Sequence, residues 1–256
     1  MPDRVCDVPS VLPAHRTVVI RSVLTVTIWI GITGLVVAAG ALVTHWGVLD
    51  RFDHHVTNWV VAHRSHALDA TMKAITWCGS WVAVAVTGGL LIALVAARKL
   101  PLVVVILAAA GWVGEVATVN LVKVLVDRQR PPQALWLVTA HGSSFPSGHA
   151  ANATLVFAAL GFSWCILTHS WSARLAGGAL SLLGAAAVGF SRVELGVHWT
   201  TDVIVGFVAV SAWLIGIGSL FADRLPLLPA FPVGQGTVSG RTTQTAVAWP
   251  HLIVTV

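Results

Sequence analysis

The chain has 256 residues, of which 56% are hydrophobic and 10% are charged, and its mean hydropathy is +0.84. A soluble domain carries about 25% charged residues, so the composition excludes that class and predicts a membrane protein. The net charge of +5 does not indicate a nucleic-acid partner, because the lysines and arginines are scattered and form neither a run nor a basic helical stripe.

Six apolar stretches follow one another along the chain, each of about the length that a helix needs to cross the hydrocarbon core. None alternates with the two-residue period of a half-buried strand. The sequence therefore predicts an all-α, multi-pass membrane protein with about six transmembrane helices, over residues 22–44, 71–97, 101–122, 148–168, 174–190 and 199–221. Together they form one predicted domain, residues 22–224.

Other segments flank or join these helices. Residues 1–21 are expected to be a cytoplasmic leader before an uncleaved first helix, because the apolar run is longer than that of a secretion signal. Residues 50–69 mix charged, His and Trp residues with Val and Ala, which predicts an amphipathic segment at the membrane interface. The fifth apolar stretch is rich in Gly and Ala, which favours close helix packing. Residues 225–256, with several Pro, Gly and Thr residues, are expected to be a flexible tail.

The cations between the apolar stretches indicate the orientation. Eight of the fifteen lysines and arginines fall on the side of both termini. At least three of those on the other side are candidates for binding an anion, so the remaining balance favours cytoplasmic termini by the positive-inside rule. The polar segments in the second half of the chain then face the extracytoplasmic side of the plasma membrane.

The segment SRVELGVHWTTD (residues 191–202) carries a histidine and a carboxylate at helical spacing. His198 and Asp202 are four residues apart and share one face of a helix. An acceptor on one ring nitrogen leaves the other nitrogen unprotonated, which is the state of an imidazole nucleophile. An ion pair at the start of a helix has the same spacing, so this pair alone does not establish catalysis.

The segment PSGH (residues 146–149) directly precedes the fourth apolar stretch and therefore lies at a helix N-terminus. Backbone N–H groups there attract anions, and Gly148 allows a phosphate oxygen to approach the backbone. The hydroxyl of Ser147 adds a donor, and His149 is a candidate acid for a leaving alkoxide. The alternative is a serine helix cap after a proline turn.

Three cations lie at the ends of apolar stretches: Lys123, Arg130 and Arg192. Arginine donates two parallel hydrogen bonds to a phosphate and lysine supplies a point charge, so the set suits the equatorial oxygens of a transferring phosphoryl group. Each is equally suited to a lipid headgroup. Arg128 is interpreted as such an anchor, or as a partner of Asp127.

Other phosphate chemistries lack the residues that they need. No GxxxxGKS/T loop or GxSxG elbow occurs. The polar segments carry only Asp127, Glu194 and Asp202 as carboxylates, too few for a two-metal phosphatase. His55 and His63 share a helix face, but no cysteine or carboxylate pair completes a metal shell. We therefore expect no metal and no cofactor.

The three segments resemble the motifs of the type 2 phosphatidic acid phosphatase family, the membrane relatives of vanadium-dependent haloperoxidases. The first motif is Lys, six residues and Arg-Pro, met by Lys123, Arg130 and Pro131. The second motif is PSGH, residues 146–149. The third is Ser-Arg, five residues, His, three residues and Asp, met by Ser191, Arg192, His198 and Asp202. All three are complete and in the family's order.

The resemblance implies a membrane phosphatase that works through a phosphohistidine and without a metal. His198 would attack phosphorus, Asp202 would orient it, and His149 would protonate the leaving oxygen and then activate water. The residues implied to hold the phosphoryl oxygens are Lys123, Arg130, Ser147, Gly148 and Arg192. The implied substrate is a lipid phosphate. A polyprenyl diphosphate is favoured over phosphatidic acid and phosphatidylglycerophosphate, because recycling of the cell-wall carrier occurs on the outer face.

A different class stays open, namely a membrane protein that binds or transports lipid phosphates without catalysis. Transporters place charged residues within the membrane, and the candidates here are Glu115 and Asn120 of the third stretch. We favour a helix-packing hydrogen bond as the role of Glu115. A protein that only binds lipid phosphates would not need a histidine nucleophile, which argues against this class. The sequence does not indicate an oligomeric state.

Overall fold

The structure, a computed structural model, describes residues 14–222. Within that range the chain forms eight α-helices and two short 3₁₀ turns, with no strand. The helices are α1 (Ala14–His45), α2 (Gly47–Ala62), α3 (His66–Ile75), α4 (Trp81–Ala96), α5 (Leu102–Val126), α6 (Gly148–Leu167), α7 (Trp171–Glu194) and α8 (Thr200–Leu220). The predicted tail, residues 225–256, and most of the predicted leader lie outside the described residues.

Judged by length and composition, five of the described helices can cross a membrane: α1 from Thr17 onward, α5, α6, α7 and α8. Helices α3 and α4, with the 3₁₀ turn Thr76–Gly79 between them, qualify together as a sixth span that is bent by 51°. The predicted all-α, multi-pass membrane fold is therefore confirmed.

The first helix begins earlier than the sequence predicts. Because α1 runs from Ala14, the expected boundary at residue 22 falls inside the helix. No proline interrupts residues 14–45, and the two arginines near its start, Arg16 and Arg21, do not prevent a helix, because arginine is a good helix former. The guanidinium of Arg21 lies over the ring of Phe221, 5.4 Å from its centre.

The second predicted span, residues 71–97, is not one straight helix. Ser80 begins α4 as its N-cap and accepts a hydrogen bond from the N–H of Ala83 at 3.3 Å. Gly79 packs against the start of α6, where a Cβ atom would lie 2.6 Å from the carbonyl oxygen of His149. The chain therefore bends where a glycine lets it approach α6.

The predicted amphipathic segment, residues 50–69, is divided between α2 and the start of α3, and α2 itself is amphipathic. Its buried face carries Asp53, Thr57 and Val60, at spacings of four and three residues, while Phe52 and Trp59 are exposed. The helix packs against α7 and α8. An acidic side chain on the buried face therefore points into the protein rather than toward the surface.

Helix α6 is central and contacts α4, α5, α7 and α8. It approaches α7 closely because α7 has small residues at the contact. A Cβ atom at Gly177 would lie 2.3 Å from Trp164, and one at Gly184 would lie 2.3 Å from Phe157. The Gly- and Ala-rich fifth stretch packs closely on its neighbour, as predicted.

The order of the helices brings four helix ends to one side of the bundle: the end of α5, the start of α6, the end of α7 and the start of α8. The loop between α5 and α6 folds over this side. The N–H of Leu137 donates to the carbonyl of Leu195 at 3.0 Å, and the N–H of Ser144 donates to the carbonyl of Arg128 at 2.8 Å. The three polar segments of the sequence therefore lie together.

Candidate active site

The predicted site residues meet at this end of the bundle. His149, in the first turn of α6, lies within electrostatic range of His198 and of all three predicted cations, Lys123, Arg130 and Arg192. Ser147 and Gly148 directly precede it, and Asp202 contacts His198. The structure thus gathers residues of three distant segments into one cluster.

His198 lies just before α8 and is 3% exposed. Its Nδ1 is 3.4 Å from Oδ2 of Asp202, a long hydrogen bond. A carboxylate only accepts hydrogen bonds, so this partner assigns the ring proton to Nδ1 and leaves the lone pair on Nε2. Burial lowers the pKa of His198 to about 4, against the opposing effect of Asp202, and the imidazole is therefore neutral at pH 7.

Arg130 faces the unprotonated nitrogen of His198. Its Nη1 is 3.1 Å from Nε2 and also donates to the carbonyl of Val197 at 2.6 Å. Its other nitrogens donate to backbone carbonyls in the loop between α5 and α6. Burial lowers the pKa of Arg130 and Asp202 opposes that shift, but a guanidinium keeps its charge at neutral pH.

Lys123 and Arg192 each donate a hydrogen bond to an uncharged group of the protein. Lys123 Nζ donates to the carbonyl of Ser143 at 2.6 Å, and Arg192 Nη1 donates to the hydroxyl of Thr76 at 2.7 Å. Arg192 is buried, and among the described residues its Nε has no hydrogen-bond partner. A buried N–H group of a guanidinium without a partner is a donor available to an anion.

The PSGH segment begins α6, with Ser147 as the N-cap. Its Oγ accepts a hydrogen bond from the N–H of Ala150 at 3.5 Å, so the helix-cap interpretation holds, and the hydroxyl hydrogen remains a donor. The N–H groups of Gly148 and His149 precede the first bonds within the helix. The N–H of Ser147 donates to the carbonyl of Asp202 at 3.0 Å, which joins this segment to α8.

Metal ligands are not grouped anywhere in residues 14–222: no three His, Cys, Asp or Glu side chains are placed to hold an ion. Of the two histidines considered as metal ligands, His63 lies just beyond the end of α2 and stacks on Trp59 at 4.3 Å, and its Nδ1 lies 2.7 Å from the carbonyl of Trp59. His55 is exposed. Positive charge at the site comes instead from its lysine and arginines.

The sequence-based interpretation of Arg128 as a lipid anchor or a partner of Asp127 is wrong. Arg128 is 7% exposed, and its guanidinium donates to Oδ1 of Asp202 at 2.5 Å and to Oδ2 of Asp53 at 2.8 Å. Asp53 was not predicted either. Its signal in the sequence is its spacing with Thr57 and Val60, because a charged residue in register with buried positions indicates a buried partner.

The two residues considered for transport lie in α5. Asn120 is exposed and donates to the carbonyl of Val116 in its own helix at 2.9 Å. Glu115 is 4% exposed, and its Oε2 has no hydrogen-bond partner among the described residues, so the expected packing hydrogen bond is not made by this atom. At a rise of about 1.5 Å per residue, Glu115 lies about 12 Å along the helix from Lys123.

Fold and site together define a multi-pass membrane protein with a cationic, histidine-containing cluster at one end of its helix bundle. Residues 98–224, which include every predicted site residue, match the model of the PAP2 superfamily. The chain belongs to this superfamily.

Known proteins resemble the chain over different lengths. Over 93 residues it is 36% identical to phosphatidylglycerophosphatase B of Bacillus subtilis; the match covers 34% of this chain and 43% of that protein, less than half of its length. A crystal structure of a transmembrane PAP2 type phosphatidylglycerolphosphate phosphatase from Bacillus subtilis superposes with a TM-score of 0.63 at 23% identity, covering 79% of this chain and 98% of that one. The crystal structure of Aquifex aeolicus LpxE gives 0.50 at 24% identity, covering 64% and 93%. At these identities the structural likeness shows the fold alone.

Proposed function

We propose that the protein is a membrane phosphatase that hydrolyses a lipid phosphate or diphosphate through a phosphohistidine intermediate. The observation that carries the proposal is the position of His198, with Asp202 at its Nδ1 and Arg130 at 3.1 Å from its Nε2. An imidazole held in this way has a lone pair beside a cation, which suits attack on a phosphate. Membership of the PAP2 superfamily and the phosphatase activity named for the Bacillus subtilis relative support the same reaction.

In the first step, Nε2 of His198 attacks phosphorus in line with the leaving oxygen. The N–P bond forms as the bond from phosphorus to the leaving oxygen breaks. Asp202 keeps the proton on Nδ1 and balances the positive charge that the ring gains. Arg130 lies beside Nε2, so its N–H groups can donate hydrogen bonds to a phosphoryl oxygen once Nε2 is bonded to phosphorus.

Three cations and a helix N-terminus surround the transferring group. Lys123, Arg130 and Arg192 oppose the negative charge of the three equatorial oxygens, and the Nε of Arg192 is the donor that still lacks a partner among the described residues. Ser147 and Gly148 add the hydroxyl and a backbone N–H at the start of α6. No step requires a metal ion, because these groups supply the positive charge.

His149 serves both steps. Protonated, it donates to the leaving oxygen as the first bond breaks. Neutral again, it takes a proton from water, whose oxygen attacks phosphorus while the N–P bond breaks, and phosphate and free His198 are formed. A bound phosphate dianion offsets the surrounding cations and so favours the protonated form at the start of the cycle.

A groove of about 340 Å³ between α4, α5 and α6 supports a lipid substrate. It is lined almost entirely by apolar side chains, among them Trp81, Val105, Trp112 and Val156. Trp81, which lines the groove, lies two residues after Gly79, which packs on His149, so the groove lies near the site. A hydrocarbon chain fits such a surface while its phosphate reaches the cationic cluster.

The favoured substrate is a polyprenyl diphosphate, with the site on the extracytoplasmic side of the plasma membrane. The loop charges support that orientation. The name of the Bacillus subtilis relative favours phosphatidylglycerophosphate instead, and the superfamily leaves phosphatidic acid as a third candidate.

The test is phosphate release by the purified protein from these three lipids, with and without EDTA. We expect turnover of at least one lipid, no effect of EDTA, and competitive inhibition by vanadate, which adopts the five-coordinate geometry of the transition state. His198→Ala should abolish release and remove any acid-labile phosphoenzyme. His169→Ala, an exposed histidine in the loop at the opposite end of the bundle, is the matched control.

Three outcomes contradict the proposal. Substantial release by His198→Ala rules out the nucleophile. Loss of activity in EDTA that magnesium restores rules out the metal-free mechanism. Saturable binding of a lipid phosphate without any release would identify the non-catalytic binding protein that the sequence leaves open.

A further inference from the structure

Arg128 lies behind the His198–Asp202 pair and joins it to α2. Its Nη1 donates to Oδ1 of Asp202 at 2.5 Å and to the hydroxyl of Thr201 at 2.8 Å, and its Nη2 donates to Oδ2 of Asp53 at 2.8 Å. Both carboxylates are fully buried. The three charged groups are strongly coupled, because leaving any one of them buried without its partner is unfavourable.

Asp53 connects this arrangement to α2. Its Oδ1 accepts a hydrogen bond from the N–H of Thr201 at 2.9 Å, and its Oδ2 accepts one from the Thr201 hydroxyl. Thr201 is in the first turn of α8, immediately before Asp202. Helix α2 is therefore hydrogen-bonded to the turn that carries Asp202.

The hydrogen bonds around Asp202 hold its carboxylate in one orientation. While Arg128 holds Oδ1, Oδ2 accepts from the N–H of Trp199 at 2.9 Å and faces Nδ1 of His198 at 3.4 Å. The guanidinium of Arg128 also lies 5.6 Å from the centre of the Trp199 ring. Rotation of the carboxylate would break several of these contacts at once.

We propose that Arg128, held in place by Asp53, is a positioning residue that turns Oδ2 of Asp202 toward His198. The inference rests on the proposed function, since it requires His198 to be the nucleophile. Arg128 reaches His198 only through Asp202, which separates its role from that of Arg130, whose Nη1 approaches Nε2 directly.

The same residues determine the charge that faces His198. Asp53 and Asp202 carry two negative charges and Arg128 carries one positive charge, so the cluster has a net charge of −1. Arg130 and Arg192 also act on His198, Lys123 acts on Asp202, and His149 lies across the site. None of these other groups changes in the variants that test the inference.

Arg128→Met leaves a net charge of −2 beside His198 and so favours its imidazolium form. Because the nucleophile must be neutral, the acid limb of the kcat/KM profile should move to higher pH, by about 1–3 units. We expect kcat to fall about 10–100-fold, as when a histidine in a metal site loses the partner that orients it. KM should change little, since the terminal nitrogens of Arg128 are already hydrogen-bonded to Asp202, Thr201 and Asp53.

Asp53→Asn should shift the profile in the opposite direction. It removes one negative charge, leaves the cluster neutral and disfavours the imidazolium form, so the acid limb should move to lower pH. The double variant Asp53→Asn/Arg128→Met restores the net charge of −1, and its limb should return close to that of the unmodified protein. A merely structural role would lower the Tm of these variants without shifts of opposite sign.

Two further variants complete the experiment. Arg128→Lys restores the charge but not the rigid fork that reaches both carboxylates, so the limb should return while kcat stays reduced. Arg51→Gln removes an exposed arginine of α2, the helix that carries Asp53. This control variant should leave kcat, the pH profile and Tm unchanged.

The outcomes separate this inference from the proposed function. If the unmodified protein releases phosphate and Arg128→Met keeps both its kcat and its pH limb, the inference alone is overturned. Shifts of the same sign in Arg128→Met and Asp53→Asn overturn it as well. If the unmodified protein releases no phosphate, the proposed function fails and the inference fails with it. If Arg128→Met does not fold, the profiles of Asp53→Asn and Arg128→Lys decide.

Discussion

Asp202→Asn tests how the site holds the proposed nucleophile, His198, because it exchanges one oxygen for nitrogen without a change of shape. In the native protein, Oδ1 accepts from Arg128 and Oδ2 accepts from the N–H of Trp199 and faces Nδ1 of His198. An asparagine has only one acceptor oxygen, and its other terminal atom is an NH₂ donor. In either orientation of the amide, the NH₂ group therefore faces at least one donor.

We expect both orientations of the amide to reduce activity. With NH₂ toward His198, Nδ1 must accept, so the ring proton moves to Nε2 and the lone pair of the nucleophile is lost. With NH₂ toward Arg128, the buried guanidinium faces a donor and the ion pair is broken. The equivalent change in a serine-protease triad lowers kcat about 10⁴-fold. We expect about 10³–10⁴-fold here, or about 4–5.5 kcal/mol of transition-state stabilisation.

The assay compares kcat for the best lipid phosphate with the Tm in the same detergent. The free energy of unfolding should fall by only about 1–3 kcal/mol, the effect of an unsatisfied buried donor, so the variant should fold. Asp127→Asn is the matched control: this exposed carboxylate ends α5 with a left-handed backbone, φ 43°, that asparagine tolerates. A folded Asp202→Asn that keeps more than about a tenth of the native kcat refutes the tautomer argument.

Three other results are expected. His149→Ala should slow release of an alkoxide about 10²–10⁴-fold but spare a p-nitrophenolate leaving group, which needs no proton; equal losses for both would reassign His149 to binding. A single cysteine in the 132–144 loop, with the native cysteines removed, should react with an impermeant thiol reagent in intact cells, whereas labelling only after lysis would reverse the orientation. Gly79→Ala should displace the start of α6, because its Cβ would lie 2.6 Å from the His149 carbonyl, and should lower kcat by up to about 10²-fold. Gly88→Ala, with open space around it, is the control, and equal kcat in both would contradict this packing argument.

The order of the spans was sufficient to predict that the three polar segments lie together, because alternating spans bring the end of α5, the start of α6, the end of α7 and the start of α8 to one side. It was not sufficient for Arg128, which pairs with Asp53 across 75 residues of sequence. In the sequence, an arginine that will be buried cannot be distinguished from one that binds a lipid headgroup, because both occur next to an apolar stretch. The bend at Gly79 was missed for another reason. The apolar composition continues through it, so residues 71–97 have the pattern of one uninterrupted span.

The relative position of the two histidines is set largely by the backbone. The N–H of Ser147, two residues before His149, donates to the carbonyl of Asp202 at 3.0 Å. One turn further along α8, Gly206 lies so close that a Cβ atom would be 2.9 Å from the carbonyl oxygen of Ser147. The imidazole of His198 is in turn oriented by side chains, through Asp202 and Arg128. Placement of His149, the proposed acid, relative to His198, the proposed nucleophile, therefore depends on different contacts from the orientation of His198. We accordingly expect glycine substitutions and charge substitutions to perturb the site in separable ways.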